Sequence, residues 1–225
     1  MSTFFIPAGE TESWSSRLAD KKKQWVKGRS AMELAESWES ARGFPMRIEE
    51  AFKRSGEPLF KEVTFLYGFP EYKVPLRGGA TGSQNDLYVL AKAKDELITI
   101  MVEGKVDEPF GPVVSSWYGA DPGDGKKERL KFLLETLGLE GMDVADKRYQ
   151  LLNRTASAVI EAKRIGAKHA LMLVHSFSET GKGYKDYEAF LDLFPVISEK
   201  DSISGPAAID EVDLYFGWVT DELVK

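Results

Sequence analysis

The chain has 225 residues, with a hydrophobic fraction of 43% and a charged fraction of 29%, values typical of a globular protein with one well-developed core. The absence of cysteine excludes disulfides, thiolate metal sites and cysteine nucleophiles, and without a long apolar run or a secretory signal at residues 1–14 we expect a cytoplasmic protein of bacterial type with no membrane partner. The net charge of −6 argues against a protein that coats nucleic acid, although a nuclease with a locally basic groove can be acidic overall.

The N-terminal part of the chain is predicted to be helical. Ser30 and Glu33 have the spacing of a capping box in front of an apolar stripe, which predicts that a helix begins there. A second helix is predicted over residues 46–54. We therefore expect a helical extension over residues 1–45, followed by a core over residues 46–225.

The middle of the chain changes to a pattern typical of strands. Residues 63–66 and 72–76 are short and β-prone, and they predict one strand and one extended edge. Residues 86–90 and 97–105 predict two further strands, separated by a polar turn at 92–96. Two consecutive strands joined by a short turn pair antiparallel, so a hairpin is expected.

A glycine-rich loop at residues 77–83 leads into this hairpin. Such a loop invites comparison with phosphate-binding loops, but it lacks the Gly-Lys-Ser/Thr ending of a P-loop. We interpret it as a flexible approach to the hairpin.

The second half of the chain alternates between helical and strand patterns. After an irregular Pro- and Gly-marked stretch, the predicted elements are helices at 126–137, 148–164 and 184–194 and strands at 170–175 and 212–218. This order predicts a single α/β (α+β) domain over residues 1–225, with a mixed central sheet flanked by helices and an insertion at about 107–145.

The second strand of the predicted hairpin, residues 97–105, is largely apolar, with charged residues near its end. Alternation places Thr99, Met101, Glu103 and Lys105 on one face. The hairpin brings Asp86 alongside the far end of the partner strand, near Glu103. Two carboxylates so placed can share Mg²⁺ or Mn²⁺, and Lys105 can position a water or stabilise the charge that develops on a phosphate. We therefore predict Asp86 and Glu103 as metal ligands and all three residues as catalytic.

These residues carry a resemblance to a known group of enzymes. Asp86 followed by Glu103-Gly104-Lys105 resembles the D…(D/E)-x-K signature of the PD-(D/E)XK nuclease superfamily. Asn85 stands where that signature often has proline. The resemblance covers residues from about 46 to 175 and implies a restriction-endonuclease-like fold: a helix, a hairpin with the signature, a crossover helix and a further strand.

The same resemblance implies roles for residues outside the hairpin. Polar residues on the crossover helix of such nucleases face the metal site, which points to Gln150, Arg154 and Arg148 as substrate-binding residues. An acidic residue on the first helix is sometimes a further metal ligand, and Glu49 or Glu50 holds that position here.

The chain also resembles a family of uncharacterised bacterial proteins over almost its whole length, which implies no particular substrate. The segments that carry this second resemblance are 83–86, 102–106 with 110–111, 148–151 with 154–155, and 174–177.

Three functional hypotheses follow from these observations. The leading hypothesis is a Mg²⁺-dependent nuclease or phosphodiesterase acting on nucleic acid. A second is a non-catalytic binding or regulatory protein that acts through a protein partner, as the net acidity suggests. A third is an enzyme for a small phosphorylated or other anionic substrate. The structural alternative for the three charged residues is an exposed cross-strand ion pair, worth roughly 0–1 kcal/mol.

Overall fold

The computed structural model describes residues 14–18 and 20–223. Its α-helices are α1 (Lys21–Gln24), α2 (Ser30–Ala41), α3 (Met46–Arg54), α4 (Val114–Tyr118), α5 (Asp124–Leu137), α6 (Tyr149–Ile165) and α7 (Tyr184–Leu191). Short 3₁₀ helices lie at Ser15–Arg17 and Pro58–Lys61. The strands are β1 (Val63–Val74), β2 (Ser83–Ala93), β3 (Glu96–Lys105), β4 (His169–Ser176), β5 (Ser202–Ile209) and β6 (Val212–Thr220).

The six strands form one mixed sheet in the order β1-β2-β3-β4-β6-β5. The first three strands are an antiparallel meander, β4 lies parallel to β3 and to β6, and β5 is antiparallel to β6. The parallel step from β3 to β4 passes through α6, as a crossover connection requires. The predicted class, a mixed sheet flanked by helices, is confirmed. None of the described helices is long and apolar enough to cross a membrane.

Side chains alternate between the two faces of the sheet and pack against different helices. On β3, Met101 lies in the apolar cluster that includes α5, α6 and α7, whereas Ile100 and Val102 lie in the cluster that includes α2 and α3. Thr99, on the α6 side, donates its hydroxyl hydrogen to the carbonyl of Ala158. The face that carries Glu103 and Lys105 is therefore the face covered by the crossover helix.

The predicted hairpin is confirmed, with a tight turn between residues 93 and 96. The interpretation of 63–66 and 72–76 as separate pieces is wrong, because residues 63–74 form one edge strand of 12 residues. A register shift between Phe65 and Tyr67 interrupts its pairing, and Pro70 interrupts its sequence pattern. Both features are tolerated at a sheet edge.

Two other predicted features differ from the structure, and one strand was not predicted. Ser30 is not a capping residue: it begins α2, and its hydroxyl donates to Glu108, while Glu33 accepts from the backbone N–H of Gly28. Strand β5 was not predicted, because its Gly205-Pro206 step and small side chains lower its strand propensity. The helix predicted over 184–194 ends earlier, at Leu191. Part of the predicted extension, residues 1–13, lies outside the described residues.

The glycine-rich loop is held against α5 and is not a free approach to the hairpin. The buried guanidinium of Arg129 donates to the carbonyls of Leu76, Arg77, Gly79 and Thr81. A Cβ at Gly78, whose φ is +80°, would lie 2.4 Å from the backbone nitrogen of Arg129. Glycine is therefore required where the loop meets the helix.

Replacing Arg129 by methionine is expected to lower the free energy of unfolding by about 2–4 kcal/mol, because several loop carbonyls lose a charged donor. Urea unfolding followed by circular dichroism measures this change. Lys131→Met, an exposed position on the same helix, is the matched control and should stay within about 0.5 kcal/mol of the wild type. Equal stability of the two variants would show that the loop is not held by Arg129.

Candidate functional site

Three carboxylates lie side by side on the first three strands. Glu71 on β1 is opposite Asp86 on β2, which is opposite Glu103 on β3. The registered pairs that fix this alignment are Pro70–Leu87 and Tyr72–Asn85 between β1 and β2, and Leu87–Val102 between β2 and β3. All three acidic residues line one cavity of about 690 Å³. The polar residues in the rest of its lining include Gln84, Lys105, Glu108, Gln150 and Arg154.

The Asp86 carboxylate is fixed by the backbone of the neighbouring strand. Its Oδ2 accepts a hydrogen bond of 2.9 Å from the amide of Gly104. On the other side of the sheet, a Cβ at Gly104 would lie 3.3 Å from the carbonyl oxygen of Ser30 and 3.4 Å from Leu34. The glycine between Glu103 and Lys105 thus lets α2 pack closely behind the site.

Glu103 is buried and surrounded by hydrogen-bond donors. Its Oε1 lies 2.7 Å from Lys105 Nζ and 2.5 Å from Gln150 Nε2, and its Oε2 lies 2.6 Å from Arg154 Nε. Lys105 also donates to Gln150 Oε1 at 3.2 Å. Burial opposes the ionised form, but the charges of Lys105 and Arg154 outweigh it and lower the pKa of Glu103. Glu103 is therefore a carboxylate at neutral pH.

The crossover helix supplies the polar partners of the hairpin. Gln150 and Arg154 are one turn apart on α6 and share a face, so both reach Glu103. The Nη1 of Arg154 also donates to Ser83 Oγ at the start of β2, at 2.9 Å. The structure thus brings together five of the predicted site residues, namely Asp86, Glu103, Lys105, Gln150 and Arg154.

Glu71 is a site residue that the sequence did not reveal. It is only 7% exposed and accepts a 2.6 Å hydrogen bond from Gln84 Nε2. Its φ of +53° places it in the left-handed region, which is unfavourable for a residue with a side chain and is often found at functional sites. The signal in the sequence is a single acidic residue between Pro70 and Tyr72 in a largely apolar segment.

The carboxylates of Asp86 and Glu71 hold their protons more strongly than usual. Burial, followed by the nearby charges of Glu103 and Glu71, raises the pKa of Asp86 well above its ordinary range. Burial raises the pKa of Glu71 to about 7, and the charge of Glu103 adds to this. Among the described residues, no hydrogen bond reaches Oδ1 of Asp86 or Oε1 of Glu71. The β1–β2 side of the cavity therefore has carboxylate oxygens that accept no hydrogen bond from the described side chains.

Three predicted site residues lie elsewhere. Arg148 precedes α6 and faces the other way, with Nη1 2.8 Å from the carbonyl of Gly111 and Nε 3.1 Å from Asp186. Glu49 is exposed on α3, and Glu50 pairs with Arg47 at a separate cavity. Helix α3 packs near β5 and β6, so its acidic residues do not reach the hairpin.

The described side chains of the cavity are not arranged closely enough to bind a metal ion as they stand. Within the described part of the chain, no three acidic or histidine side chains converge closely enough to enclose an ion. Both oxygens of Glu103 are engaged by nitrogen donors. A cation would therefore compete with Lys105 and Arg154 for this carboxylate.

Residues 7–223 match the model of a family described as Domain of unknown function (DUF6946). The chain belongs to this family. It has no significant match among the curated proteins or among the solved structures. The matched segment of this DUF6946 member includes the whole sheet and every residue of the cavity.

The unusual carboxyls of this DUF6946 member predict a pH dependence of stability. Because the pKa of Glu71 rises from 4.5 to about 7 on folding, its favourable contribution is present below about pH 4.5 and is lost as the pH rises through about 7. In metal chelator, Glu71→Gln is therefore expected to be more stable than the wild type at pH 8, by on the order of 2–3 kcal/mol. Chemical unfolding at pH 5 and pH 8 measures this difference.

Glu108 is the control because it lines the same cavity but its pKa is lowered, whereas that of Glu71 is raised. Backbone N–H donors lower its pKa in spite of its burial, so its contribution is present at neutral pH and is lost as the pH falls. Glu108→Gln should therefore be less stable than the wild type at pH 8. Equal pH slopes for wild type and Glu71→Gln would contradict the assignment of Glu71.

Proposed function

We propose that this chain is a nuclease of the PD-(D/E)XK type that depends on Mg²⁺ or Mn²⁺. The observation that carries the proposal is the alignment of Glu71, Asp86 and Glu103 on three adjacent strands, in one cavity with Lys105 and Gln150. Hard divalent cations prefer carboxylate oxygens and retain several waters. A cleft with this donor set is suited to metal-assisted hydrolysis of a phosphodiester.

The donor chemistry of the cavity fits such an ion. Asp86 Oδ1 and Glu71 Oε1 accept no hydrogen bond from other described residues, and burial and neighbouring negative charge raise the pKa of both carboxyls. Asp86 and Glu103 would hold the metal, with Glu71 as a further ligand. The ion would act there as a Lewis acid toward the phosphodiester.

The other side chains have distinct roles in this proposal. Lys105, buried beside Glu103, orients the attacking water and stabilises the negative charge that develops on the phosphate. Gln150 holds both partners of that pair and keeps the lysine ammonium pointed at the cavity. Arg154 neutralises Glu103 and ties α6 to the start of β2. Gln150 and Arg154 are also the substrate-binding candidates.

The arrangement of elements supports the same proposal. Helices α2 and α3 precede the meander β1–β3, and α6 then crosses over to the parallel strand β4. This is the order implied by the restriction-endonuclease-like fold, and we propose that fold for the chain. Strands β6 and β5 extend the sheet beyond it.

Incubation of the purified protein with labelled single- and double-stranded DNA and RNA tests the proposal. We expect cleavage of at least one substrate with Mg²⁺ or Mn²⁺ and none in chelator. Retention of cleavage in chelator would exclude metal-dependent hydrolysis. An absence of cleavage of all four substrates with both metals would exclude the nuclease function.

A non-catalytic role is the second candidate, and one observation favours it. Glu103 already has a complete set of partners without metal, as expected for a structural ion-pair network. In that case the protein acts through a protein partner. A stable complex that forms equally well with Glu103→Gln, together with no nuclease activity, would support this alternative.

A further inference from the structure

One wall of the cavity is made by a segment that is unusually basic for this chain. We call residues 20–31 the basic arm. They contain five basic residues and one acidic residue, in a chain whose net charge is −6. The basic side chains are all exposed: Lys21, Lys22, Lys23, Lys27 and Arg29. The local charge of the arm is thus opposite to that of the protein.

The arm faces the carboxylates and is anchored to the domain. Lys23 and Arg29 line the same cavity as Asp86 and Glu103. Trp25, in the middle of the arm, packs against the apolar cluster of α2 and α3. The arm is therefore held beside the site, with two of its charges, those of Lys23 and Arg29, in the lining of the cavity.

Two charges of the arm, those of Lys23 and Arg29, form only exposed ion pairs with described residues. Lys23 lies 3.5 Å from Asp20 with 86% of its side chain exposed, and Arg29 lies 3.9 Å from Glu108 with 57% exposed. Exposed pairs of this kind contribute roughly 0–1 kcal/mol each. Lys22 and Lys27 are also exposed. A cluster of like charges with weak partners is suited to a polyanion, whose bound counterions are released on association.

We propose that the basic arm binds the phosphodiester backbone of a nucleic-acid strand and delivers one phosphate to the carboxylate site. This inference rests on the proposed function and adds the surface that holds the strand, because a small phosphodiester would reach the carboxylates without contacting several lysines. The acidic floor of the cavity repels phosphate, and the arm supplies the compensating attraction along the strand. DNA and RNA share this backbone chemistry.

Binding of a fluorescent 20-nucleotide strand, measured by anisotropy in chelator, tests the proposal without requiring catalysis. The variant replaces Lys22, Lys23 and Lys27 by glutamine. A matched control replaces Lys127, Lys131 and Lys185, which are exposed on α5 and α7, by glutamine. At low salt we expect the arm variant to bind about 10- to 100-fold more weakly than the wild type, and the slope of log Kd against log salt to fall by about two. The control variant should match the wild type.

Several outcomes would overturn the proposal: no binding by the wild type, equal weakening in both variants, or binding of phosphatidylserine vesicles in place of nucleic acid. Where metal-dependent cleavage is observed, the arm variant should lose activity on the oligonucleotide but not on bis(p-nitrophenyl) phosphate. Equal loss on both substrates would show that the arm only supports the fold. Arm-dependent binding without any cleavage would support the role of the basic arm in binding the strand and would exclude the nuclease function. DNA and RNA strands run in parallel identify the preferred backbone.

Discussion

Replacement of Lys105 by methionine is expected to slow metal-dependent cleavage by about 10²–10³-fold, since one donor aimed at developing negative charge in a buried site has an effect of that size. Lys105 is 4% exposed, and its Nζ is held 2.7 Å from Glu103 and 3.2 Å from Gln150. Methionine retains most of the side-chain volume and removes the charge. Single-turnover kinetics on a labelled oligonucleotide measures the loss in the chemical step.

A comparison with Glu103→Gln separates the proposed metal binding by Glu103 from the proposed charge stabilisation by Lys105. Glu103→Gln should lose both cleavage and Mn²⁺ affinity, whereas Lys105→Met should lose cleavage and retain Mn²⁺ binding in a calorimetric titration. Lys92→Met, which alters a half-exposed lysine on β2, is the control and should stay within about twofold of wild-type activity. Wild-type cleavage by Lys105→Met would remove this residue from the mechanism.

Replacement of Arg154 by methionine is expected to be the most destabilising of the changes at this site, by about 3–5 kcal/mol. The side chain is 11% exposed and its partner Glu103 is 2% exposed. Its removal leaves a buried carboxylate with a smaller set of cationic partners, beside two further acidic residues. Urea unfolding at pH 7.5 measures the loss.

Arg148→Met is the matched control for this change. Arg148 lies next to the same helix, but its ion pair with Asp186 is about one-third exposed on both sides, so a loss of no more than about 1 kcal/mol is expected. The double variant Glu103→Gln/Arg154→Met should be more stable than the sum of the two single effects, because the uncompensated charge is gone. Additive effects would show that the two residues do not stabilise one another.

The hairpin and its charged end could be predicted from the sequence because their determinants are local. Strict alternation along β3 fixes which face holds Glu103 and Lys105, and the short polar turn predicted at 92–96 identifies β2 as the partner strand. The position of Asp86 near Glu103 follows from that pairing. The helical spacing of Gln150 and Arg154 likewise requires that both face the sheet if one does. These inferences use the period of side-chain direction, two residues in a strand and 3.6 in a helix, which can be recognised in the sequence alone.

The rest of the site depends on contacts that no local pattern encodes. Glu71 joins the site because an edge strand with a left-handed residue pairs with β2. Arg148 is only two residues before Gln150 and precedes the first turn of α6, and its side chain lies against Gly111. Glu50 is on the expected first helix, yet α3 packs at the opposite end of the sheet. These placements follow from tertiary packing.

The most direct test of the metal site is a crystal structure of the protein soaked in Mn²⁺, with anomalous scattering recorded for wild type and for Asp86→Asn. We predict an anomalous peak between Asp86 and Glu103, within reach of Glu71, and loss of the peak in the variant. In the wild type, the Glu103 carboxylate should move away from Lys105 or Arg154 to meet the ion. Saturating Mn²⁺ that gives no peak, with Glu103 still bound to Lys105, Gln150 and Arg154, would contradict the proposed metal site.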